Sequence, residues 1–277
     1  GSGRRNEQGR LEHGGAWRSE RQWPLEQTVL RTLHMRAGGG LTDAPPRADE
    51  FPSTYIHDPD HPVPSIAASV TGLSELVRVP GGVDPAQWPP RYRARPLLIE
   101  GGAHQKEEPD RFGSMPPYPL LEERSDVLVF ETEPLEEDIE ITGGVAVTLW
   151  VSSSAADTDF TAKLLDVYPS SDDYPEGYHL NLADSIIRCR FRDGYNKAEL
   201  MEPGTAYEVR INLPPTSNKF VVGHRIRVDV ASSSFPKFDV NPNTGEALGR
   251  HTHTVKASNT VFTEAARPSH VVLPIIP

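Results

Sequence analysis

Val145-Ala146-Val147-Thr148-Leu149-Trp150-Val151 is the stretch whose reading decides the fold. Its apolar residues recur at every second position, so Val145, Val147, Leu149 and Val151 share one face of an extended chain. That is the period of a half-buried strand and not of a helix. The rule repeats downstream. In Tyr207-Glu208-Val209-Arg210-Ile211-Asn212-Leu213 the odd positions are apolar and the even ones polar. Arg225-Ile226-Arg227-Val228-Asp229-Val230 turns Ile226, Val228 and Val230 inward, and residues 186–192 set Ile187, Cys189 and Phe191 against Arg188, Arg190 and Arg192. Val127 to Phe130 reads as a further strand, and His270-Val271-Val272-Leu273-Pro274 closes the chain. Turn signals such as Thr142-Gly143-Gly144, Pro203-Gly204 and Asn243-Thr244-Gly245 separate the segments. Strands with one polar face each, and no helical period between them, imply antiparallel sheets packed face to face. The expected fold is all-β, a jelly-roll-like β-sandwich.

Residues 1–125 read differently. They are polar, punctuated by Pro45-Pro46, Pro89-Pro90, Pro116-Pro117 and Gly38-Gly39-Gly40, and they offer few periodic segments. We expect an extended, irregular N-terminal region with short strands, wrapping a main sandwich at 126–277, so that 1–277 forms a single domain. The 27 prolines and 22 glycines are spread along the chain, which suits short strands joined by turns. A net charge of −11 argues against nucleic acid, which needs a basic stripe. No run reaches the roughly 18 apolar residues that would span a membrane. Cys189 is the one cysteine, so no intrachain disulfide forms, and with no signal segment visible a cytoplasmic location is expected. The chain opens Gly1-Ser2-Gly3 without Met, which reads as the middle of something longer.

Candidate chemistry is sparse. The strained Gly-x-Ser-x-Gly turn of an α/β-hydrolase nucleophile is missing; Gly72-Leu73-Ser74-Glu75-Leu76 lacks its second glycine. Ser152-Ser153-Ser154 and Ser232-Ser233-Ser234 fall at strand ends, where serines satisfy edge and turn backbone, and no His and Asp can be assigned to orient them. His251-Thr252-His253 would set both imidazoles on one face of a strand, a geometry open to a divalent ion. Gly245 lies six residues earlier, as in the first cupin motif, but the expected glutamate is replaced by Ala257 and Ser258, and a solvated pair is the plainer reading. Asp157 and Asp159 flank Thr158 and suit either calcium or a turn cap. The arginines at 188, 190 and 192 suit an anionic partner or ion pairs on a sheet face. Cys189 points with Ile187 and Phe191 and reads as an inert core thiol. No cofactor is expected.

Several motifs in one order carry a resemblance. They are Trp17-Arg18-Ser19-Glu20-Arg21-Gln22-Trp23-Pro24, Asp58-Pro59-Asp60-His61-Pro62-Val63-Pro64, and Ser152 to Leu164 with Asp157, Asp159 and Phe160. To these add Thr216 to Phe220 leading into Gly223-His224-Arg225-Ile226, Ser232 to Gly245, and Pro268 to Ile276. Together they resemble the C-terminal domain of the cocaine esterase / X-Pro dipeptidyl-peptidase (CocE/NonD) serine hydrolases, over about residue 14 to the end. The Asp58 to Pro64 loop is similar to one in the α-amino-acid ester hydrolases.

The resemblance implies a jelly roll whose partner is an α/β-hydrolase domain carrying the Ser-His-Asp triad upstream. No residue of this chain then matches a catalytic position, and the chain alone is expected to be inactive. It implies that the domain packs on the hydrolase domain and forms part of the acyl-pocket wall. Wall or interface candidates are the segment from Ile66 to Gly72, then Gly102 and His104, and the loop with Phe235, Asp239, Asn241 and Asn243. For that loop, a turn held by the Asp239, Asn241 and Asn243 side chains is an equal reading. A detached domain exposes the face it once buried, so a homo-oligomer is possible. The rivals are a free-standing carbohydrate- or ligand-binding jelly roll, for which Trp150 and Tyr168 are too few and scattered, and a cupin-type metalloenzyme built on His251 and His253.

Overall fold

The computed structural model describes residues 6–8, 15–67, 102–109 and 113–277. Two antiparallel sheets face each other. The larger holds β1 (Val29–Met35), β2 (Leu41–Thr42), β3 (Ser53–His57), β5 (Ile139–Gly143), β6 (Ala146–Ser153), β9 (Tyr207–Asn212), β10 (Thr216–Phe220), β12 (Ala257–Phe262) and β13 (His270–Ile276). The smaller runs β4 (Leu128–Glu131), β11 (Arg225–Ala231), β7 (Asp159–Tyr168), β8 (Tyr178–Arg188) in that order. One edge of β6 pairs with β9, while the other pairs first with β13 and then with β12.

The inward faces are those that the alternation marks. Val147, Leu149 and Val151 of β6, Val209 and Ile211 of β9, and Ile226, Val228 and Val230 of β11 all lie in one buried cluster with Phe130, Phe160 and Phe220. A one-residue slip of any strand would turn its whole apolar set to the wrong face, so the core itself sets the register. The N-terminal region contributes real strands. β1 pairs with β13 from Val29↔Ile275 to His34↔His270, and β3 pairs with β12 from His57↔Ala257 to Ser53↔Val261.

Two expectations change. The alternation over 186–192 breaks at Arg188: Cys189–Phe191 is a 3₁₀ turn, not strand. Its cause is tertiary, since Cys189 N donates to Thr158 O at 2.9 Å and Arg190 N donates to Asp157 Oδ1 at 2.9 Å, which pulls the backbone off the ladder. The arginine stripe therefore does not exist as a face. The polar side of β11 is also not solvated: Arg227 and Asp229 are buried, as are Thr161 and Lys163 of β7. A second, small apolar layer of Val63, Ile66, Leu121, Val127 and Ala231 covers that outer face of the smaller sheet.

Candidate functional site

The sequence-nominated residues Ile66 and Phe235 meet on this covered face. Residues 63–66 are zipped to 233–237 through backbone and serine hydroxyls. Phe235 N donates to Val63 O at 2.9 Å and Ser65 N to Phe235 O at 2.8 Å, with Pro64 and Phe235 in a parallel bridge. Val63 N donates to Ser233 Oγ at 2.9 Å, Ser65 and Ser234 share a 2.9 Å hydroxyl bond, and Lys237 N donates to Ser65 Oγ at 3.2 Å. Serine suits the positions because a short hydroxyl reaches neighbouring backbone with little entropy to lose. Ile66 is buried and Phe235 half-buried, so the zip anchors one side chain and leaves the other partly presented. The rest of the proposed wall segment, 68–72, together with Gly101 and the Gly72 to Leu76 stretch, lies outside the described residues.

Gly102 and His104 approach from the other side. Tyr178 Oη donates to Gly102 O at 2.8 Å, and a Cβ on Gly102 would come within 2.7 Å of that hydroxyl, so a larger residue would have to displace the Tyr178 ring or the Gly102 backbone. His104 stacks on Tyr178 at 4.5 Å, and its Nδ1 accepts from His179 N at 3.0 Å, which puts its ring hydrogen on Nε2. Burial lowers its pKa, so the neutral ring is held at neutral pH. Tyr168 and Tyr174 lie at the same end of the β7–β8 hairpin, 5.7 and 4.5 Å from the Tyr178 ring, whereas Trp150 sits in β6 of the other sheet.

Beneath them lies a buried polar layer that sequence reading did not nominate. Lys163 Nζ donates to Gln105 Oε1 at 2.9 Å, and Gln105 Nε2 donates to Ala103 O at 2.9 Å. Arg227 Nε donates to Glu131 Oε2 at 2.6 Å and also pairs with Glu122. Burial pushes Asp229 up to about 6 despite Arg227 and Lys163, and burial lowers Lys163 from the usual lysine range. Burial and the neighbouring Arg227 take His179 down to about 3. The lone sequence signal was Lys163, a charge inside the run Phe160-Thr161-Ala162-Lys163-Leu164-Leu165.

The other end of the Phe235 to Asn243 loop is structural. Asn241 Nδ2 donates to Asp157 Oδ2 at 2.9 Å and to Asp159 Oδ1 at 2.7 Å, and its Oδ1 accepts from Asn243 N at 2.9 Å. Asp157 also accepts Arg190 Nε at 2.8 Å, and Asp159 accepts Arg188 Nε and Nη2, both at 2.9 Å. Burial raises the Asp159 pKa while Arg188 and Asn241 oppose it. The aspartate pair thus serves neither as a calcium site nor as a local turn cap. It is the centre of an ion-pair network that clamps a loop 82 to 84 residues away in sequence, with both carboxylates spent on arginine and amide donors. Asn243, at φ +63°, donates to Val255 O at 2.6 Å, and Asp239 contributes its carbonyl, at 3.2 Å from Arg188 Nη2, more than its exposed side chain.

The remaining candidates scatter. His251 and His253 are exposed in an irregular loop, not on a strand, because residues 246–252 bond to themselves: Thr252 N donates to Glu246 Oε2 at 3.1 Å. His251 borders an open cleft of about 250 Å³ with Arg188, Arg190 and Asn241. The serine hydroxyls of 153, 154 and 233 accept backbone N–H groups, and Ser232 bonds Tyr55 and Asn259. Cys189 is buried and its thiol pKa is raised by burial. Phe160 is core, Arg225 donates to Thr132 O at 2.7 Å, and Arg18 pairs with Glu140 at 2.6 Å. Trp17 and Trp23 project into solvent at 104% and 57% exposure.

These features — a β-sandwich, a zipped 63–66 to 233–237 seam, exposed tryptophans and an Asp157/Asp159 pair spent on arginine and amide donors — fit a scaffold. The pattern of the X-Pro dipeptidyl-peptidase C-terminal non-catalytic domain matches residues 4–272. The chain belongs to that family. It is a C-terminal domain of the CocE/NonD type, and a non-catalytic one. Cocaine esterase of Rhodococcus sp. (strain MB1 Bresler) is 37% identical over 270 residues, covering 94% of this chain and 40% of the esterase. An aminopeptidase of a marine sediment Thaumarchaeota archaeon superimposes with a TM-score of 0.71 at 28% identity, over 95% of this chain and 39% of that one. An α-amino acid ester hydrolase gives 0.69 at 28% identity, over 88% and 36%. The domain therefore spans about 40% of the length of the curated relative it matches. Among the described residues no helix is long and apolar enough to cross a membrane.

Proposed function

We propose that the domain works as the C-terminal part of a serine hydrolase of ester or amide bonds, docked on a catalytic α/β-hydrolase domain that carries the whole Ser-His-Asp triad. In this reading residues 1–125 and 126–277 act as one unit, and the seam joining Ile66 to Phe235, with the His104 stretch tied to it through Gln105 and Ile66, forms part of the acyl-pocket wall. The observation that carries it is the family match over residues 4–272 on a chain that covers only 40% of cocaine esterase. Two features support it. The exposed Trp17 and Trp23 supply apolar surface of the kind an adjoining domain covers. The seam is rigid, with its polar groups satisfied internally, so it offers shape and apolar contact to a substrate instead of chemistry.

The isolated 277-residue chain should hydrolyse p-nitrophenyl acetate no faster than a heat-denatured control. Turnover that survives purification and is abolished by a serine-directed fluorophosphonate would overturn the proposal. For the wall, Phe235→Ala in the full-length enzyme should raise KM for bulky acyl esters more than for acetyl esters, and an equal effect on both would remove the seam from the pocket.

A further inference from the structure

A pair of histidines far from the seam has no role in the reading above. His34 on β1 and His270 on β13 stand directly opposite each other across the ladder, with ring centroids 5.9 Å apart and planes tilted by 57°. Leu33 and Met35 turn into the core, so His34 lies on the outer face of the larger sheet, and His270 alternates in the same way with the buried Val271. The row across four strands is Thr42, His34, His270, Thr148. Small hydroxyl side chains thus flank the two imidazoles on both sides of the row.

We propose that His34 and His270 form a two-imidazole site for a divalent ion of the zinc and copper class, with water completing the coordination and the ion clipping β1 to β13. His270 Nδ1 donates to Pro268 O at 2.8 Å. A carbonyl only accepts, so the hydrogen is on Nδ1 and the neutral ring keeps its lone pair at Nε2; this is the orienting bond that metal-bound histidines make. His34 Nδ1 is buried with no hydrogen-bond partner in the protein, a costly state for an imidazole nitrogen. The nearby cation is compensated, since Arg36 Nε donates to Glu50 Oε1 at 2.7 Å.

The distance fits. With metal–nitrogen bonds of about 2.0–2.1 Å, an ion lies about 3.2 Å from each ring centroid, so tetrahedral coordination wants centroids about 5.2 Å apart. With both donor nitrogens turned toward one ion, a centroid separation of 5.9 Å corresponds to an angle of about 135° at the metal. Imidazole suits zinc, copper and nickel, and strands separated by the whole chain gain most from such a clip.

The test is calorimetric titration of the tag-free full chain with Cu2+, with electron paramagnetic resonance of the bound ion and thermal unfolding with Zn2+. One ion per chain with two coordinating nitrogens is expected. H34Q and H270Q, made separately and checked for folding by circular dichroism, should each weaken binding at least about tenfold, and the double variant H251Q/H253Q should leave it unchanged. Zn2+ should raise the unfolding temperature of the parent chain but not of H34Q. The proposal is overturned by absence of stoichiometric binding up to about 1 mM ion, or by binding that persists without His34 and His270 and disappears without His251 and His253.

Discussion

Removing the side-chain amide of Asn241 probes the clamp between the Asp157/Asp159 pair and the Phe235 to Asn243 loop. The amide donates to two buried carboxylates, at 2.9 and 2.7 Å, and its oxygen accepts from Asn243 N at 2.9 Å. Hydrogen bonds to charged groups contribute about 1.5–3 kcal/mol each and a neutral one about 1 kcal/mol, for a gross loss of roughly 4–7 kcal/mol. Each carboxylate keeps its arginine, Arg190 on Asp157 and Arg188 on Asp159, so neither is left bare and the lower end governs. Asn241→Ala should therefore lose about 3–5 kcal/mol in urea unfolding at pH 7.5, or roughly 6–15 °C in Tm. Asn241→Asp should be worse than alanine despite its closer shape, because it adds a third buried carboxylate where donors are needed. A loss below about 1 kcal/mol for the alanine variant, or an aspartate variant at least as stable as alanine, would refute the account of a charge-assisted clamp.

The layer under the seam makes a pH prediction. Asp229 is raised to about 6 in the fold, so the native state holds a proton that the unfolded state has released, and its contribution to stability falls as pH rises from about 4 through 6. Asp229→Asn should remove from the stability–pH curve a decline of up to about 3 kcal/mol across that window; parallel curves for the two proteins would sink it. Gly102→Ala should push residues 102–105 off β8 and speed amide exchange at Gln105 and Asn181, whose N–H groups bond His179 O and Ala103 O, by about tenfold or more. Unchanged protection would mean Tyr178 simply moves aside. Cys189 should resist Ellman's reagent in the folded chain and react fully in 6 M guanidinium, since it is buried with its thiolate disfavoured. Prompt labelling under native conditions would place it at the surface.

The strands of the main sandwich were legible because one face of each packs on the opposite sheet. Val147, Leu149 and Val151, or Val209 and Ile211, alternate in the sequence for the same reason that they are buried in the fold. β11 and β7 were half legible. In β11 the alternation set Arg227 and Asp229 on the polar face, yet they are buried with Thr161 and Lys163 of β7, because a second layer covers them. No local pattern announces a cover that arrives from residues 63–67 and 121–127.

The candidate site divides along the same line. Motif order over most of the chain pointed to the family, and Ile66, His104 and Phe235 were nominated by it. The partners that organise them, Ser65, Gln105 and Lys163, were not, since the bonds of Ser65 to Ser234, Gln105 to Ile66 and Lys163 to Gln105 join residues 169, 39 and 58 positions apart. The 186–192 stretch shows the limit most sharply: its alternation continues through Phe191, yet Thr158 and Asp157 capture the backbone at Cys189 and Arg190 and end the strand. Period and composition, which depend only on near neighbours, determined by themselves an all-β sandwich with this core. Which polar residues are buried, which carboxylates meet which arginines, and that His34 and His270 face each other were decided by the tertiary structure, because ladder register and layer packing join parts of the chain that local sequence cannot relate.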